Sequence, residues 1–212
     1  MIRPEDLKYD DRGLIPCIVQ DAATGEVLTL AWQSREALEQ TLRSGQATFW
    51  SRSRGAIWVK GATSGNTQAV RAARADCDHD ALLLRVLPAG PACHTGARSC
   101  FFEAVDGSPA ETEAPGETLA RLERVLRDRR SEAPAGSYTA KLYADENLRH
   151  KKIGEEATEL VMASLRGDKD AVAAEAADVL YHLLVLLRSH GLGLLEVAGK
   201  LREREGQKRN PA

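Results

Sequence analysis

The sequence lacks any apolar run of membrane-spanning length, because the stretch from Leu183 to Leu187 is short and closes on Arg188. The segment before Gly13 is polar and charged, so it cannot serve as the apolar core of a secretory signal. An excess of charge is also missing, since the formal net charge is -2. Nucleic acids and anionic membranes normally require a basic face, so we expect neither as a partner. These absences together predict a cytoplasmic protein.

Cysteine is scarce, with four residues in the whole chain. In a reducing compartment disulfides rarely persist, whereas thiolate metal sites do. Cys77, Cys93 and Cys100 are therefore candidate metal ligands. Cys17, between Pro16 and Ile18, is interpreted as a buried structural thiol, because a free cysteine packs like a small hydrophobic residue.

The chain has 212 residues, of which 43% are hydrophobic and 28% charged, as in an ordinary folded protein. From Leu14 to Phe102 it contains five segments with strand signatures, IPCIVQ, EVLTLAW, ATFWSRS, AIWVKG and LLLRV. Between them Ser34 is a predicted N-cap for a short helix that Gly45 closes. We predict an N-terminal α+β, β-rich domain over residues 1–103.

Residues 104–116 combine prolines, glycines and acidic residues, which is linker composition. Beyond them the hydrophobic period changes from two to about 3.6. One predicted helix runs from Asp145 to Arg166, with the stripe Ile153, Ala157, Leu160, Val161 and Ser164, and Gly167 ends it. Asp168 caps the next, which runs to about His190. We predict an all-α C-terminal domain over residues 117–212.

Three aspartates, Asp76, Asp78 and Asp80, alternate with Cys77 and His79. On an extended segment the three carboxylates would share one face, with the cysteine and histidine on the other. Such a face is either a solvated turn or a site for a hard cation such as magnesium.

Farther along, Cys93 and Cys100 form a C-x6-C pair in a loop that contains glycine. Together with Cys77 they would supply three zinc ligands and leave one tetrahedral position for water, as in a catalytic zinc site. A structural zinc or an adventitious disulfide remains the alternative for the pair.

The stretches GLIPCIVQD, EVLTLAW, FWSRSRGAIWVKGATSGNTQ, DCDHDALLLRV and ACHTGARSCF resemble phosphoribosyl-AMP cyclohydrolase, the histidine-biosynthesis enzyme that opens an adenine ring. The resemblance covers about residues 10–103. It implies that Asp76, Asp78 and Asp80 bind magnesium and that zinc held by Cys77, Cys93 and Cys100 activates a water that opens the ring between N1 and C6. In that family Cys77 and the other two ligands come from different subunits, which implies a homodimer with a shared zinc site.

His94, beside a predicted zinc thiolate, is the expected proton-transfer residue. The predicted phosphate and ribose contacts are Arg52, Arg54, Lys60, Thr63 and Ser64. Without the resemblance these residues would be interpreted as a solvated basic strand edge. Two positions depart from the family, which usually has Glu in place of Ala62 and His in place of Asn66. An asparagine cannot carry a proton, so an acid-base role at position 66 is not expected.

Acidic residues recur at helical spacing in the C-terminal domain. The first helix carries Glu155, Glu156 and Glu159, and the next carries Glu175 and Asp178. Like charges so placed destabilise a helix, so two such faces meeting in a hairpin indicate bound magnesium. The alternative is a pair of solvated acidic faces.

The stretches SYTAKL, KKIGEEATELVMA and EAADVLYHLLVLL resemble phosphoribosyl-ATP pyrophosphatase, an all-α enzyme, over about residues 117–205. This resemblance implies hydrolysis of phosphoribosyl-ATP to phosphoribosyl-AMP and pyrophosphate by a dimer. Lys152 is the expected phosphate contact, Tyr138 and Thr139 are weaker candidates, and His182 is interpreted as a satisfied core histidine. We therefore predict a bifunctional hydrolase acting on small phosphorylated nucleotides. Two alternatives are a protein with one active half and a zinc-stapled structural module.

Overall fold

A computed structural model describes residues 2–107, 114–132 and 134–209, and side chains up to residue 205. The chain folds as two compact units, Met1–Glu117 and Thr118–Ala212. The first is rich in strands and the second is helical, so the predicted fold class is confirmed. Residues 108–113 of the predicted linker lie outside the described part, and its last two residues, Pro115 and Gly116, belong to a helix.

Besides a short 3-10 helix at Pro4–Asp6, the described residues of the first unit form six strands and one α-helix. These are β1 (Leu14–Asp21), β2 (Val27–Ser34), α1 (Arg35–Ser44), β3 (Thr48–Ser51), β4 (Ala56–Val59), β5 (Gln68–Ala75) and β6 (Leu82–Pro88). Four strands form a sheet in the order β2-β1-β6-β5, and β3 pairs with β4 in a second, two-stranded sheet. The central β1 and β6 strands are parallel, while β2 and β5 pair with them in the antiparallel sense.

Alternation along the strands places the core on one face of the sheet. Cys17 and Val19 of β1 and Leu84 and Val86 of β6 are buried together with Phe49 of β3. Helix α1 begins and ends as its sequence predicts. The Ser34 hydroxyl accepts from the Ala37 N–H, and Gly45 closes the helix in the left-handed region at φ 68°.

Strand β5 was not predicted from the sequence. Its sequence QAVRAARA has four alanines and two arginines, with little of the β-branched character that marks strands. It forms because it pairs with β6 at the edge of the sheet, where one side faces solvent. Tertiary pairing therefore overrides weak local propensity in this segment.

The second unit contains five helices in the described residues. They are α2 (Pro115–Ser131), α3 (Tyr138–Ala144), α4 (Glu146–Arg166), α5 (Lys169–Ser189) and α6 (Leu194–Arg209). The sequence analysis missed the short α3. The predicted α4–α5 hairpin is present, with Asp145 and Asp168 as N-caps and Gly167 at φ 69° between the helices. Its core is formed by Leu126, Leu142, Leu184 and Val185.

The apolar stripe predicted on α4 is only partly covered in the described part of the chain: Ile153 and Leu160 are half-buried, whereas Ala157, Val161 and Ser164 are exposed. Val161 is 58% exposed, Leu165 nearby is 77% exposed, and Leu180 of α5 is also exposed. The residues that α4 buries are instead Arg149, Glu156 and Ala163. Within the described residues, no helix is both long and apolar enough to cross a membrane.

Replacing Leu84 by alanine tests the core of the first unit. Leu84 is fully buried, so Leu84→Ala should lower the free energy of unfolding by about 2 to 5 kcal/mol. All three tryptophans, Trp32, Trp50 and Trp58, belong to this unit, so their fluorescence during urea unfolding reports on it alone. Leu42→Ala, at a position 52% exposed, is the matched control and should change stability by no more than about 0.5 kcal/mol. Equal losses for the two variants would contradict this placement of the core.

Candidate functional site

The three aspartates of the first unit come together in a loop. β5 ends at Ala75, and residues 76–80 form bends before β6 begins, so the extended geometry expected for this segment is wrong. Asp76 Oδ1 instead accepts from the N–H groups of Asp80 and Ala81, at 3.0 and 3.2 Å. His79 allows the loop to close by adopting a φ of 68°. The carboxylates of Asp76, Asp78 and Asp80 are exposed and offer oxygen atoms within 4.8 Å of one another.

The closeness of these carboxylates shifts the pKa values of Asp76 and Asp80 in opposite directions. Partial desolvation favours the neutral form of Asp76 and acts to raise its pKa. This effect is outweighed by the N–H groups of Ala81 and Asp80 and by hydrogen bonds with the Asp80 and Asp78 side chains, so the pKa of Asp76 lies below its usual range. The Asp76 side chain, followed by the charge of Asp78, raises the pKa of Asp80. Three oxygen ligands under mutual repulsion fit a hard divalent cation.

The predicted thiolate pair lies in a compact loop after β6. Cys93 N–H donates to Ala97 at 3.0 Å, and Cys100 N–H donates to Leu28 of β2 at 2.8 Å. The Thr95 hydroxyl donates to Cys93 Sγ at 3.1 Å. This hydrogen bond has the largest effect in lowering the pKa of Cys93, and further donors, which include the Cys100 thiol, lower it as well. A lowered thiol pKa favours the thiolate that binds metal.

Cys77 does not join this pair within the chain. Among the described residues the potential metal ligands form two groups of three or more, and neither contains a cysteine. A single chain thus offers Cys93 and Cys100 for zinc but lacks the third thiol beside them. Cys17 is buried apart from the loop, as interpreted from the sequence, and burial raises the pKa of its thiol to about 12.

A cleft beside the thiol loop collects most of the predicted substrate contacts. Arg54, Lys60, Thr63 and Ser64 line it together with His94. Lys60 also donates to the Ala92 carbonyl at 2.6 Å, so its ammonium supports the residue that precedes Cys93. Cys93 also lines the cleft, so the cleft extends to the thiol loop.

Arg52, Ala62 and Asn66 are the other positions in this part of the chain that the sequence singled out. Arg52 is not among the lining residues, and its guanidinium lies over the Trp32 ring at 4.8 Å from the centroid. Ala62 and Asn66, the two departures from the family pattern, both line the cleft. A side chain at Gly90 would collide with Asn66 Oδ1, so Asn66 is packed closely against that glycine.

The second unit gathers acidic residues from both helices of the α4–α5 hairpin. Glu156, Glu175 and Asp178 offer oxygen atoms within 4.8 Å of one another, and Glu156 is buried. Desolvation and then the charges of Glu159, Glu156 and Asp178 raise the pKa of Glu175. The carboxylates therefore repel one another in the absence of a cation, as the sequence spacing predicts.

Glu155 lies outside this group and faces the lysines. Its carboxylate contacts Lys151 Nζ at 3.0 Å and Lys152 Nζ at 3.3 Å. Lys152 also reaches Glu156 Oε1 at 2.8 Å, and its hydrogen bonds with Glu156 and Glu155 raise the pKa of the ammonium. Lys152 thus lies directly beside the acidic group.

His182 adjoins the same group, although the sequence analysis interpreted it as a satisfied core residue. It is 4% exposed, packs edge-on against the rings of Tyr138 and Tyr181, and places Nε2 3.8 Å from Glu156 Oε1. Burial lowers its pKa. Its Nδ1 has no hydrogen-bond partner in the part of the chain that is described, so the residue is buried but not satisfied. Tyr138 and Thr139, the weaker candidates from the sequence, therefore lie beside this group, and the Thr139 hydroxyl is 2.8 Å from the Tyr181 hydroxyl, which was not predicted.

Comparison with protein-family models assigns each unit. Residues 29–102 match the model of phosphoribosyl-AMP cyclohydrolase. Residues 119–205 match the model of phosphoribosyl-ATP pyrophosphohydrolase. The protein is thus a two-domain hydrolase that combines these two activities.

Curated relatives match across both domains. A "Histidine biosynthesis bifunctional protein HisIE" from Nostoc sp. is 50% identical over 96% of this chain and 94% of the relative. Proteins of the same name from Bacillus subtilis and Halalkalibacterium halodurans are each 48% identical, over 98% and 96% of this chain and 99% and 98% of the relative, respectively. The chain belongs to this family of bifunctional histidine-biosynthesis proteins.

Replacing Glu175 by glutamine tests the repulsion within the acidic group. The pKa of Glu175 is raised in the folded state, so as the pH falls the folded chain protonates this carboxylate before the unfolded chain does. The metal-free protein should therefore gain stability as the pH falls from neutral through that pKa. Glu175→Gln should raise the midpoint of thermal unfolding at pH 7 without metal and weaken this dependence on pH. Far-UV circular dichroism, dominated by the helices, provides the measurement.

Magnesium supplies the second half of this test. It should stabilise the wild type more than Glu175→Gln, because one ligand is lost in the variant. Glu203→Gln, which removes the same charge from an exposed site on α6, is the control and should behave as the wild type. A wild-type midpoint that magnesium leaves unchanged would contradict a cation site here.

Proposed function

We propose that each unit carries out one of two successive hydrolyses at its own divalent-cation site. The observation that carries this proposal is the presence of a separate carboxylate group in each unit, Asp76, Asp78 and Asp80 in one and Glu156, Glu175 and Asp178 in the other. The helical unit hydrolyses phosphoribosyl-ATP to phosphoribosyl-AMP and pyrophosphate. The β-rich unit then opens the adenine ring of phosphoribosyl-AMP by adding water and breaking the bond between N1 and C6.

In the β-rich unit the residues of the thiol loop and those of its cleft have different roles. Zinc, when bound at the thiols, supplies a Lewis acid that makes water a nucleophile near neutral pH. His94 lies with Nδ1 3.8 Å from Cys93 Sγ, which leaves Nε2 to move a proton in the cleft. Arg54 and Lys60 bring positive charge for the phosphates, and Thr63 and Ser64 provide hydroxyl groups. Asp76, Asp78 and Asp80 would hold magnesium in the same unit.

In the helical unit the carboxylates of the α4–α5 hairpin favour a hard cation. Glu156, Glu175 and Asp178 would hold magnesium, with Glu159 next to Glu175. When bound, magnesium neutralises the polyphosphate and favours attack of water on phosphorus. Lys152 is placed to bind a phosphate oxygen, and Glu155 keeps its ammonium near the acidic group. His182 and its tyrosine neighbours exclude water from the inner side of Glu156.

A homodimer is part of the proposal for two independent reasons. Zinc requires a third thiolate beside Cys93 and Cys100, and Cys77 of a second copy can supply it. The exposed apolar residues of α4 and α5 provide a face that a second copy would bury. The four cysteines are unpaired, which suits the reducing cytoplasm as the place of action.

Separate replacement of one carboxylate in each unit tests the assignment of reactions. Asp78→Asn should reduce ring opening by about 100-fold or more and leave pyrophosphate release unchanged, because one magnesium ligand is lost. Glu156→Gln should do the reverse. Pyrophosphate release is measured with phosphoribosyl-ATP and ring opening with phosphoribosyl-AMP supplied directly, and Asp11→Asn and Glu203→Gln are the exposed controls. Loss of both activities from either change would contradict two separate sites.

Pyrophosphate release by the unaltered protein without ring opening would favour one active half, given Ala62 and Asn66.

Mixing inactive variants tests the shared zinc site. Cys77→Ser and Cys93→Ser should each lack ring opening, but their co-expression should restore about one quarter of the wild-type rate. Half of the dimers would be mixed, and each mixed dimer would complete one of its two sites. Cys93→Ser with Cys100→Ser is the control and should restore nothing, because both ligands come from the same subunit. Recovery in the control, or none in the test pair, would contradict the shared site.

A further inference from the structure

An arginine within the thiol loop pairs with two acidic residues outside it. Arg98 lies between Cys93 and Cys100, and its Nη2 contacts Asp21 Oδ2 while its Nε donates to Glu26 Oε2 at 2.5 Å. Asp21 ends β1, and Glu26 precedes β2, so both belong to the turn between these strands. The side chain of Asp21 is 3% exposed, and that of Arg98 is 28% exposed. We refer to Arg98, Asp21 and Glu26 as the Arg98 clasp.

The turn holds its acidic residues in fixed positions. Asp21 Oδ1 accepts from the N–H groups of Ala23 and Thr24, at 2.8 and 3.3 Å, which leaves Oδ2 for Arg98. The Glu26 N–H donates to the Thr24 hydroxyl at 3.1 Å. Because the turn joins two paired strands of the main sheet, it is a rigid anchor for the guanidinium.

The backbone of the thiol loop is ordered around the same arginine. The Arg98 carbonyl accepts from Ala92 N–H at 3.0 Å, beside Cys93. On the other side, the Ser99 hydroxyl donates to Val27 O at 2.7 Å, just before the Cys100 contact with β2. Arg98 is therefore connected to both cysteines through short stretches of hydrogen-bonded chain.

We propose that the Arg98 clasp positions Cys93 and Cys100 for zinc before the metal binds. Arg98 is a positioning residue that touches neither substrate nor metal in this assignment, which rests on the proposed zinc site. A guanidinium presents two N–H donors in a fixed plane, so it can join two carboxylates in one geometry, whereas a lysine ammonium cannot. Buried Asp21 also needs its partner, because an unpaired buried charge is strongly unfavourable. Removing the clasp leaves the loop to be ordered by zinc itself, which weakens binding.

Zinc affinity of the full-length protein tests the clasp directly. Competition with a chromophoric chelator measures the dissociation constant, and Arg98→Met should raise it by about 10- to 100-fold, as loss of a supporting contact does in other metal sites. Arg98→Lys should restore part of the affinity. Arg85→Met is the matched control: Arg85 lies on β6 and donates to Gln20 at 3.2 Å, away from the thiol loop in sequence, so its replacement should leave zinc affinity unchanged. Pyrophosphate release by the helical unit should be equal in all samples.

A double-mutant cycle separates positioning from general stability. Glu26→Gln should weaken zinc binding in the wild type but add little in the Arg98→Met background, because the pair acts as a unit. Wild-type zinc affinity in Arg98→Met, or fully additive effects in the cycle, would overturn the proposal. If Arg98→Met does not fold, the zinc affinities of Arg98→Lys and Glu26→Gln provide the test, and wild-type affinity in both variants would overturn the proposal. Equal zinc binding by the wild type and Cys93→Ser would instead show that the underlying zinc site is wrong.

Discussion

Mutual repulsion between carboxylates is the interaction on which both proposed sites depend. In each unit three side chains hold oxygen atoms within 4.8 Å of one another. The first unit does so in an exposed loop fixed by backbone N–H donors, and the second does so between two long helices, where Glu156 is buried. An arrangement of like charges at such distances is stable in a fold only when hydrogen bonds, lysines or a bound cation offset the repulsion. The two units thus use different scaffolds to meet the same electrostatic requirement.

Local signals in the sequence predict much of this structure. The predicted caps Ser34 and Asp168 mark helix starts correctly, because each side chain accepts from a nearby N–H. Asp145, predicted as the first residue of its helix, is its N-cap. The prediction fails where the structure depends on distant contacts. β5 forms by pairing with β6, and the 76–80 loop closes through His79 at a positive φ, neither of which a spacing pattern contains.

The candidate site divides in the same way. Residues of the right chemical type at short spacing, such as the acids of α4 and α5, are found from the sequence alone. Residues that act through partners far along the chain are missed. Arg98 is separated from Asp21 by 77 positions, and the histidine beside Glu156 comes from another helix. Their contacts are visible only when the fold brings these elements together.

Lys152 gives the helical site a property of its own. Its ammonium already occupies the space between Glu155 and Glu156 and carries a positive charge firmly, since those neighbours raise its pKa. A cation bound at the proposed site would displace this intramolecular competitor, so its apparent affinity would be lower than that of the bare ligand set. The displaced ammonium would then be available to an anionic ligand. Cation and nucleotide would consequently favour each other's binding, and the ion would exchange readily once the reaction products leave.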